Sequence, residues 1–517
     1  MSRIVPILSP EQAVSLIKDQ DTVSFCGAGG GIVEPYLLIA ALAQRFRREQ
    51  SPRDLTFIHA TGLGDRQDRG MSPLAQKGLV SRIIGGHWDQ SPRLAEMAAR
   101  NELEAWNIPM GMGSRLYRAA AAHQPGLLSR IGLHTYIDPR LGGGRLNSRT
   151  KRDLVSLCQI DGRDYLFYRA LAPDVALIRA STADAEGYLS MEDEIAYVDV
   201  LDQALAAHNN GGKVIAQVGA VTPAGSLHPK NVRVPGYLVD ALVPAPHQEQ
   251  LYDAPVSSYF SGDSKSDGSR AERLPLTERK VIARRALLEA RAGQVANVGV
   301  GICDGIGLVA LEEGVSGQVT FTMETGPIGG VSARGMYFGA SYNNKAIIPM
   351  PSQFDFYEGG GLDIAFLSLA QLDPAGNVNV SRFNGRIVGT GGFIEISQTS
   401  RKAVFCGTMT SGGLETRVGG GRLEILREGR FRKALPQVEE ITYSGAFARE
   451  EGREAVYITE RAVFRLTERG LTLTEYAPGL DLERDILSQM EFRPHISPQL
   501  RPMDPRLFRE EKMGISL

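Results

Sequence analysis

The stretch Gln318-Val-Thr-Phe-Thr-Met-Glu-Thr-Gly-Pro-Ile-Gly-Gly330 decides how the chain is read. Val319 to Met323 mix β-branched, aromatic and apolar residues in the manner of a short strand. Thr325-Gly326-Pro327 then ends it, because proline has no N–H to donate to a ladder and glycine favours a turn. Glu324 therefore stands at the C-terminal lip of a strand. In an open α/β sheet that lip is where ligands bind. Two readings of the carboxylate stand side by side: a covalent nucleophile, or the cap of a turn.

Working outward, the 517 residues are too many for one ordinary core and predict two to four domains. Hydrophobic content of 43% and charged content of 22% are those of a soluble globular protein. A net charge of −2 gives no broad electrostatic case for nucleic acid or an anionic membrane. The N-terminus carries no secretory pattern, and no run approaches the ~20 apolar residues of a membrane span, so a cytoplasmic protein is expected. The four cysteines, Cys26, Cys158, Cys303 and Cys406, are far apart in sequence and are expected as reduced, structural thiols. The eight histidines show no metal-ligand spacing, so no metal is expected.

Ser9-Pro10-Glu11-Gln12 predicts a helix start with a capping box. Val23 to Cys26 predicts a strand, Gly27-Ala28-Gly29-Gly30-Gly31 a loop, and Tyr36 to Arg48 a helix. Strand, glycine loop and helix together can cradle an anion, although glycine clusters also serve tight packing. Further strands are predicted at 55–60, 80–84, 174–179 and 213–218, alternating with helical patterns, as in a parallel α/β sheet. Residues 253–275 turn polar, with Ser257, Ser258, Ser261, Gly262, Asp263, Ser264, Lys265, Ser266, Asp267, Gly268 and Ser269, and read as a linker between domains 1–252 and 276–517. Thr277-Glu278-Arg279 opens a helix running to Leu288.

The second half repeats the first. Asp174-Val-Ala-Leu-Ile matches Asp363-Ile-Ala-Phe-Leu, Asp184-Ala-Glu-Gly187 matches Asp373-Pro-Ala-Gly376, and Lys213-Val-Ile-Ala matches Lys402-Ala-Val-Phe. All three share one offset: 363−174, 376−187 and 402−213 equal 189. Val23-Ser-Phe-Cys-Gly27 is paired with Val295-Ala-Asn-Val-Gly299, an offset of 272. The fold expected is α/β, built as two tandem, duplicated open α/β domains with a site in the cleft between them. No Glu-x-Gly counterpart is evident in the first half, which assigns any reactive carboxylate to the second.

Met323-Glu324-Thr325-Gly326 resembles the Glu-x-Gly motif of the family I coenzyme A transferases. Gly359-Gly-Gly-Leu-Asp363, Asn377-Val-Asn-Val-Ser-Arg382, Gly389-Thr-Gly-Gly-Phe393, Ile458-Thr-Glu-Arg-Ala-Val-Phe464 and Ala477-Pro-Gly-Leu-Asp481 follow in the family's order. Gln353-Phe-Asp-Phe-Tyr-Glu-Gly-Gly-Gly361 is most similar to the single-chain branch that includes acetate and propionate CoA-transferases, related to the 3-oxoacid enzymes. The resemblance implies fused α- and β-type domains of the CoA-transferase fold, an architecture that resembles sugar-phosphate isomerases such as ribose-phosphate isomerase. It implies ping-pong transfer of coenzyme A from a short-chain acyl-CoA to a carboxylic acid through a glutamyl-CoA thioester on Glu324. Coenzyme A is then substrate and transient adduct, with no permanently bound cofactor, and a homo-oligomer, of which a tetramer is one form, is the family-level expectation.

A thioester is already activated, so no ATP is needed, and Glu324 is expected to react as the carboxylate it is at pH 7. Backbone amides of Gly389, Gly391, Gly392 and Phe393 are the candidate oxyanion donors at the CoA end, and Gly29, Gly30 and Gly31 would border the acyl group from the first domain. Many 3-oxoacid relatives carry Pro-Gln-Gly in the first domain. Here the match is Pro109-Met110-Gly111, and methionine cannot donate, so no oxyanion role passes to Met110. Lys345, Arg382 and Arg386 are candidates for the CoA phosphates. The rivals are an acyl-CoA hydrolase or isomerase on the same fold, a 3-oxoacid-specific transferase, and a non-catalytic binding protein. The proline-bearing segment from Arg493 to Leu517 is expected to wrap a neighbour or its own domain rather than form a core element.

Overall fold

A computed structural model describes residues 3–254, 256–266 and 273–517. The first half opens with helix α1 (Pro10–Val14), whose Ser9 and Gln12 form the predicted capping box. Its sheet contains β1 (Thr22–Phe25), β2 (Leu55–His59), β3 (Val80–Gly85), β4 (Glu104–Asn107), β5 (Val175–Asp184), β6 (Lys213–Thr222) and β7 (Ala241–Pro244), ordered β7-β6-β5-β1-β2-β3-β4 and parallel throughout. Two short strands, Leu189–Ser190 and Val232–Val234, complete nine. Helices α2 (Tyr36–Glu49), α3 (Met110–Ala121) and α4 (Val200–Asn209) belong to this half. β2 is buried at every residue, as a strand covered on both faces must be.

The second half begins with α5 (Glu278–Leu287) and builds a ten-stranded sheet. In chain order its strands are β8 (Val295–Val298), β9 (Thr320–Thr322), β10 (Pro327–Ile328), β11 (Ala346–Ile347), β12 (Ile364–Ser368), β13 (Lys402–Cys406), β14 (Glu454–Ile458), β15 (Ala462–Thr467), β16 (Gly470–Tyr476) and β17 (His495–Pro502). Their spatial order is β11-β10-β9-β8-β12-β13-β14-β15-β16-β17. Helices α6 (Met350–Phe356) and α7 (Phe393–Thr399) lie near the first half.

The duplication holds at atomic detail. Val175 pairs with Lys213 in β5–β6, and Ile364 with Lys402 in β12–β13, both at the offset of 189. The Asp184 carboxylate accepts from the amides of Glu186 and Tyr188, and that of Asp373 from Ala375 and Asn377. The earlier match needs correction. Val23 pairs with Val175 but Ala296 pairs with Ile364, so β1 and β8 correspond at 273, not 272. The aspartates agree: Asp174 accepts from Thr22 N–H and Asp363 from Val295 N–H. Because side chains alternate along a strand, the one-residue slip had exchanged the two faces of the sheet.

Two other expectations change. Within the expected linker, Phe260 is buried against Tyr342, with ring centroids 4.7 Å apart, and Ser266 N–H donates to Asn343 at 2.7 Å, so this segment packs on the second half. Asp267, Gly268 and Ser269 lie outside the described residues. The C-terminal segment packs on its own half, as one of the two expectations had it, but it does form core: β17 is a sheet edge, Met503, Leu507 and Phe508 enter the core, and buried Arg284 binds the carbonyls of Arg509 and Glu511. The four cysteines are unpaired, though Cys303 and Cys406 lie close enough together to interact.

Candidate active site

Thr322, at the end of β9, pairs with Ile328 of β10, so the chain does not merely stop at Glu324 but reverses in a tight hairpin. Met323 N–H donates to Pro327 O at 2.9 Å, and Gly326 N–H to Met323 O at 3.0 Å. Gly326 has φ +125°, and a Cβ there would lie 2.1 Å from Ile348 O, so only glycine closes this turn. Thr325 Oγ1 donates to Gly339 O at 2.9 Å. β9 runs parallel to β8, which places Glu324 at the C-terminal lip the sequence predicts.

The Glu324 carboxyl points into protein. Among the described residues it has no hydrogen bond or ion pair, and burial alone pushes its pKa up to about 7. Burial thus works against the ionised form in which Glu324 is expected to react. A Cβ at Gly392 would stand 2.6 Å from Glu324 Oε2, so the absence of a side chain there makes room for the carboxylate. Beneath it, buried Thr322, Tyr357 and Asn297 form a network. Tyr357 OH donates to Thr322 Oγ1 at 2.8 Å, and Asn297 Nδ2 donates to Tyr357 OH at 3.2 Å.

The glycine run after Val388 is held from the first half. Gly391 N–H donates to Gly86 O at 2.8 Å, Thr390 N–H to Asn107 Oδ1 at 2.9 Å, and Trp88 N–H to Val388 O at 2.8 Å. Asn107 Nδ2 donates in turn to the carbonyls of Gly85 and Gly86. The two halves also exchange matching bonds. Met110 N–H, opening α3, donates to Gly391 O, and Met350 N–H, opening α6, donates to Val198 O, both at 3.0 Å. Gly391 and Val198 share positive φ, +53° and +41°, and each stands two residues before a helix, α7 or α4.

A family model described as coenzyme A transferase matches residues 7–245. Acetate CoA-transferase YdiF of Escherichia coli strain K12 is 55% identical over 514 residues, covering 99% of this chain and 97% of that one. The chain belongs to the coenzyme A transferases. Caffeate CoA-transferase of Acetobacterium woodii is 40% identical over 517 residues, covering 98% of each chain. The crystal structure of acyl-CoA transferase YdiF from Escherichia coli O157:H7, in a thioester complex with CoA, matches with a TM-score of 0.96 at 53% identity, over 99% of this chain and 98% of that one. The α/β fold and the resemblance to acetate-type transferases read from the motifs accordingly hold.

The structure distributes the predicted site residues of this transferase unevenly. Of the four candidate amides, Gly389 N–H is taken by Ser381 O at 3.0 Å, Gly391 N–H by Gly86 O, and Phe393 N–H by Thr390 O at 3.0 Å. They hold the loop's shape and are not open donors, which corrects the reading of Gly389, Gly391 and Phe393 as oxyanion donors. Gly392, beside the carboxylate, alone keeps an amide without a partner among the described residues. In the first half, Gly30 N–H goes to Gly64 O at 2.9 Å and Gly31 N–H to Glu34 Oε1 at 3.2 Å, so these two also shape a loop. A Cβ at Gly29 would meet Gln90 at 2.6 Å. The loop reaches the Glu324 turn indirectly, through Ile32, which packs on Gly339 beside Thr325.

Arg382 is committed to Glu440 at 2.7 Å, and Arg386 to Asp89 at 2.6 Å. Lys345, exposed and packed along Gly329 of the hairpin, has no ion pair among the described residues. Sequence reasoning missed Asn107, Glu34 and Glu395. Glu34 accepts from Tyr252 OH at 2.7 Å and Gly64 N–H at 2.9 Å, and burial pushes its pKa up to about 7. Glu395 accepts from Met112 N–H across the halves at 3.1 Å, and burial, with nearby Glu358, pushes its pKa up to about 8. The partners that mark them out, Gly86 and Thr390 for Asn107, Tyr252 and Gly64 for Glu34, and Met112 for Glu395, are distant in sequence.

Proposed function

We propose that this chain transfers coenzyme A between a short-chain acyl-CoA and a carboxylic acid by a ping-pong reaction in which Glu324 is the covalent nucleophile. The observation that carries the reading is the Glu324 carboxyl at the strand lip, without a partner among the described residues, its pKa pushed up by burial, and beside Gly392, whose amide is the open one of the glycine run. Ionised Glu324 attacks the thioester carbonyl carbon. The new C–O bond places negative charge on the carbonyl oxygen, and the Gly392 N–H donates to that oxyanion. The C–S bond then breaks to give an acyl-glutamyl anhydride and CoA thiolate. The thiolate adds to the Glu324 carbonyl carbon and expels the free acid, leaving a glutamyl-CoA thioester. A second carboxylate runs the steps in reverse. Burial serves both halves of the cycle: it raises the energy of the carboxylate and keeps water from the anhydride.

We read residues 1–252 and 276–517 as the two domains, with Lys345 beside the hairpin meeting a CoA phosphate. Identity of 55% to an acetate enzyme, against 40% to a caffeate enzyme, favours a short aliphatic acid such as acetate or propionate over an aromatic one. Initial velocities with acetyl-CoA and propionate test the reaction order. Parallel double-reciprocal lines are expected; lines that intersect, as for a ternary complex, overturn the ping-pong reading.

A further inference from the structure

A cavity of about 670 Å³ opens in the second half, at the edge of the sheet opposite the lip that carries Glu324. Lys402 and Glu454 line it and are the first residues of β13 and β14, so it lies at the N-terminal ends of the parallel strands. Its size is that of a small-molecule site, about 300–1,000 Å³. The proposed CoA exchange uses none of its residues. Five cations line it: Arg285, Arg291, Lys402, Arg465 and Arg501. Of the four lining carboxylates, Asp504 is held by Arg506 at 2.6 Å, which leaves Glu289, Glu454 and Glu475 to face the five. Glu289 alone receives three of the cations: Arg285 at 3.0 Å, Arg465 at 2.7 Å and Lys402 at 3.2 Å. Glu475 receives Arg285 at 2.8 Å and Arg501 at 3.1 Å. Glu454, 66% exposed, reaches only Lys402, at 3.4 Å. Arg291 has no side-chain hydrogen bond or ion pair among the described residues. Burial works against the charges of Glu289 and Glu475, yet their cationic neighbours hold both pKa values below that of an ordinary glutamate. The carboxylates are therefore ionised, and positive charge is still in excess.

We propose that this cavity binds a small polyanion of the di- or triphosphate class, whose phosphate oxygens meet the open guanidinium edges of Arg465 and Arg501, with exposed Arg291 beside them. Buried Arg285 spends all three of its nitrogens on Glu475 and Glu289 and forms the fixed floor. Arg465 and Arg501 are each held through one terminal nitrogen and keep the rest of the fork for another acceptor. A guanidinium fork fits a phosphate with two parallel hydrogen bonds. A ligand with two or more negative charges offsets the excess. A monocarboxylate, such as the acids of the proposed transfer, offsets only one charge, so the cavity is not a second acyl site.

The test is isothermal titration of the full chain with inorganic pyrophosphate and, side by side, with adenosine diphosphate, at fixed ionic strength. Pyrophosphate is expected to bind with a Kd below about 0.1 mM. Arg465→Ala and Arg501→Ala should each weaken it about tenfold, the loss of one charge-assisted phosphate contact, and Arg291→Ala about threefold. All three variants should keep the parent's kcat and KM for acetyl-CoA, and Lys345→Ala, at the proposed CoA phosphate contact, should bind pyrophosphate as the parent does. Adenosine diphosphate that binds more tightly than pyrophosphate and responds to the same variants assigns the cavity to a nucleotide; equal or weaker binding assigns it to the phosphates alone, and either supports the inference. No binding of pyrophosphate to the parent overturns it. So does a heat that chloride at the same ionic strength reproduces, which is screening alone. Binding that persists unchanged in Arg465→Ala and Arg501→Ala, or that Lys345→Ala abolishes, also overturns it, because the anion then sits elsewhere. Should Arg465→Ala not fold, unchanged binding in Arg501→Ala and in Arg291→Ala, which breaks no ion pair, overturns it.

Discussion

The end of β2 and the end of β9 are the same place in two copies of one unit. Thr22 pairs with Thr56 as Val295 pairs with Thr320, so Ala60-Thr61-Gly62 in the first half corresponds to Glu324-Thr325-Gly326 in the second. The residue in the place of Glu324 is an alanine. After β2 the chain goes on to a parallel neighbour, β3, and Gly86 closes over the strand end: a Cβ there would lie 1.8 Å from Ala60 O. After β9 the chain folds back as a hairpin, and Glu324 stays partly open. The facing helix starts differ in the opposite sense. Asp199 stands before α4 where Gly392 stands before α7, each following a positive-φ residue that accepts the opening amide of the partner helix. Each copy thus has one carboxylate, on the strand in one and on the helix start in the other. In the first, Asp199 is tied to Gln203 Nε2 at 2.8 Å, and burial pushes its pKa up to about 7. In the second, glycine opposite the glutamate leaves it untied. The two copies share the framework and differ in which carries an untied carboxylate at this place.

The comparison breaks most directly at Glu324. Glu324→Gln should lower turnover on the order of 10⁴-fold or more, and Ala60→Glu added to it should not restore activity, because Ala60 is sealed beneath Gly86. Recovery of CoA exchange in the double variant would mean that the two strand ends are interchangeable. Next come the glycines on either side. In Gly392→Ala the new methyl displaces the carboxylate, and a loss of about 100-fold in kcat is expected for a nucleophile moved by about 1 Å. Gly86→Ala should instead appear chiefly as stability, with about 1–3 kcal/mol lost to overpacking and a lower melting temperature. The reverse pattern would place the chemistry in the wrong copy.

Ionisation gives a third, smaller effect. Glu324 has a folded pKa of about 7, above the 4.5 of an exposed glutamate. Between those values the unfolded chain gives up its proton first, so the residue costs nothing below about pH 4.5 and increasingly destabilises the fold up to about pH 7. Glu324→Gln should therefore match the parent in melting at pH 4.5 and exceed it at pH 8 by about 1–3 kcal/mol. For the same reason kcat/KM for acetyl-CoA should rise with pH through about 7 and level off above it. The smallest effect is expected at the rim. Arg386, 65% exposed, pairs with Asp89 across the halves, and Arg386→Ala should cost under about 1 kcal/mol, read as the denaturant midpoint, and less in high salt.

Much of this arrangement was legible in the residues. Local rules read well: the capping box at Ser9, the buried strands, and the repeat that matches Asp184 to Asp373, whose side chains bond amides two and four residues on. What escaped depends on partners remote in sequence. The hairpin after Glu324 could be read as a stop but not as a reversal, because nothing in Pro327-Ile328 names its ladder partner. Ala60 could not be matched to Glu324 while β1 and β8 were aligned one residue out of step, and only the pairings with β5 and β12 fix that register. The amides of Gly389 and Gly391 looked equivalent to that of Gly392 until Ser381 and Gly86 were seen to occupy them. Phe260 inside a serine-rich run, and Leu507 and Phe508 just after a proline-bearing run that ends at Pro505, were outweighed by the composition around them. The pKa of Glu324 reflects burial, which only the folded chain creates.

The central claim is that the second copy's carboxylate forms a bond. Mixing the protein with acetyl-CoA in the absence of an acceptor, then digesting and weighing the peptides, tests it directly. The account predicts a CoA adduct on the peptide containing Glu324, which borohydride reduces to the corresponding alcohol and which a carboxylic acid acceptor discharges. An unmodified Glu324 peptide, in a preparation that still exchanges CoA between acyl groups, would contradict it.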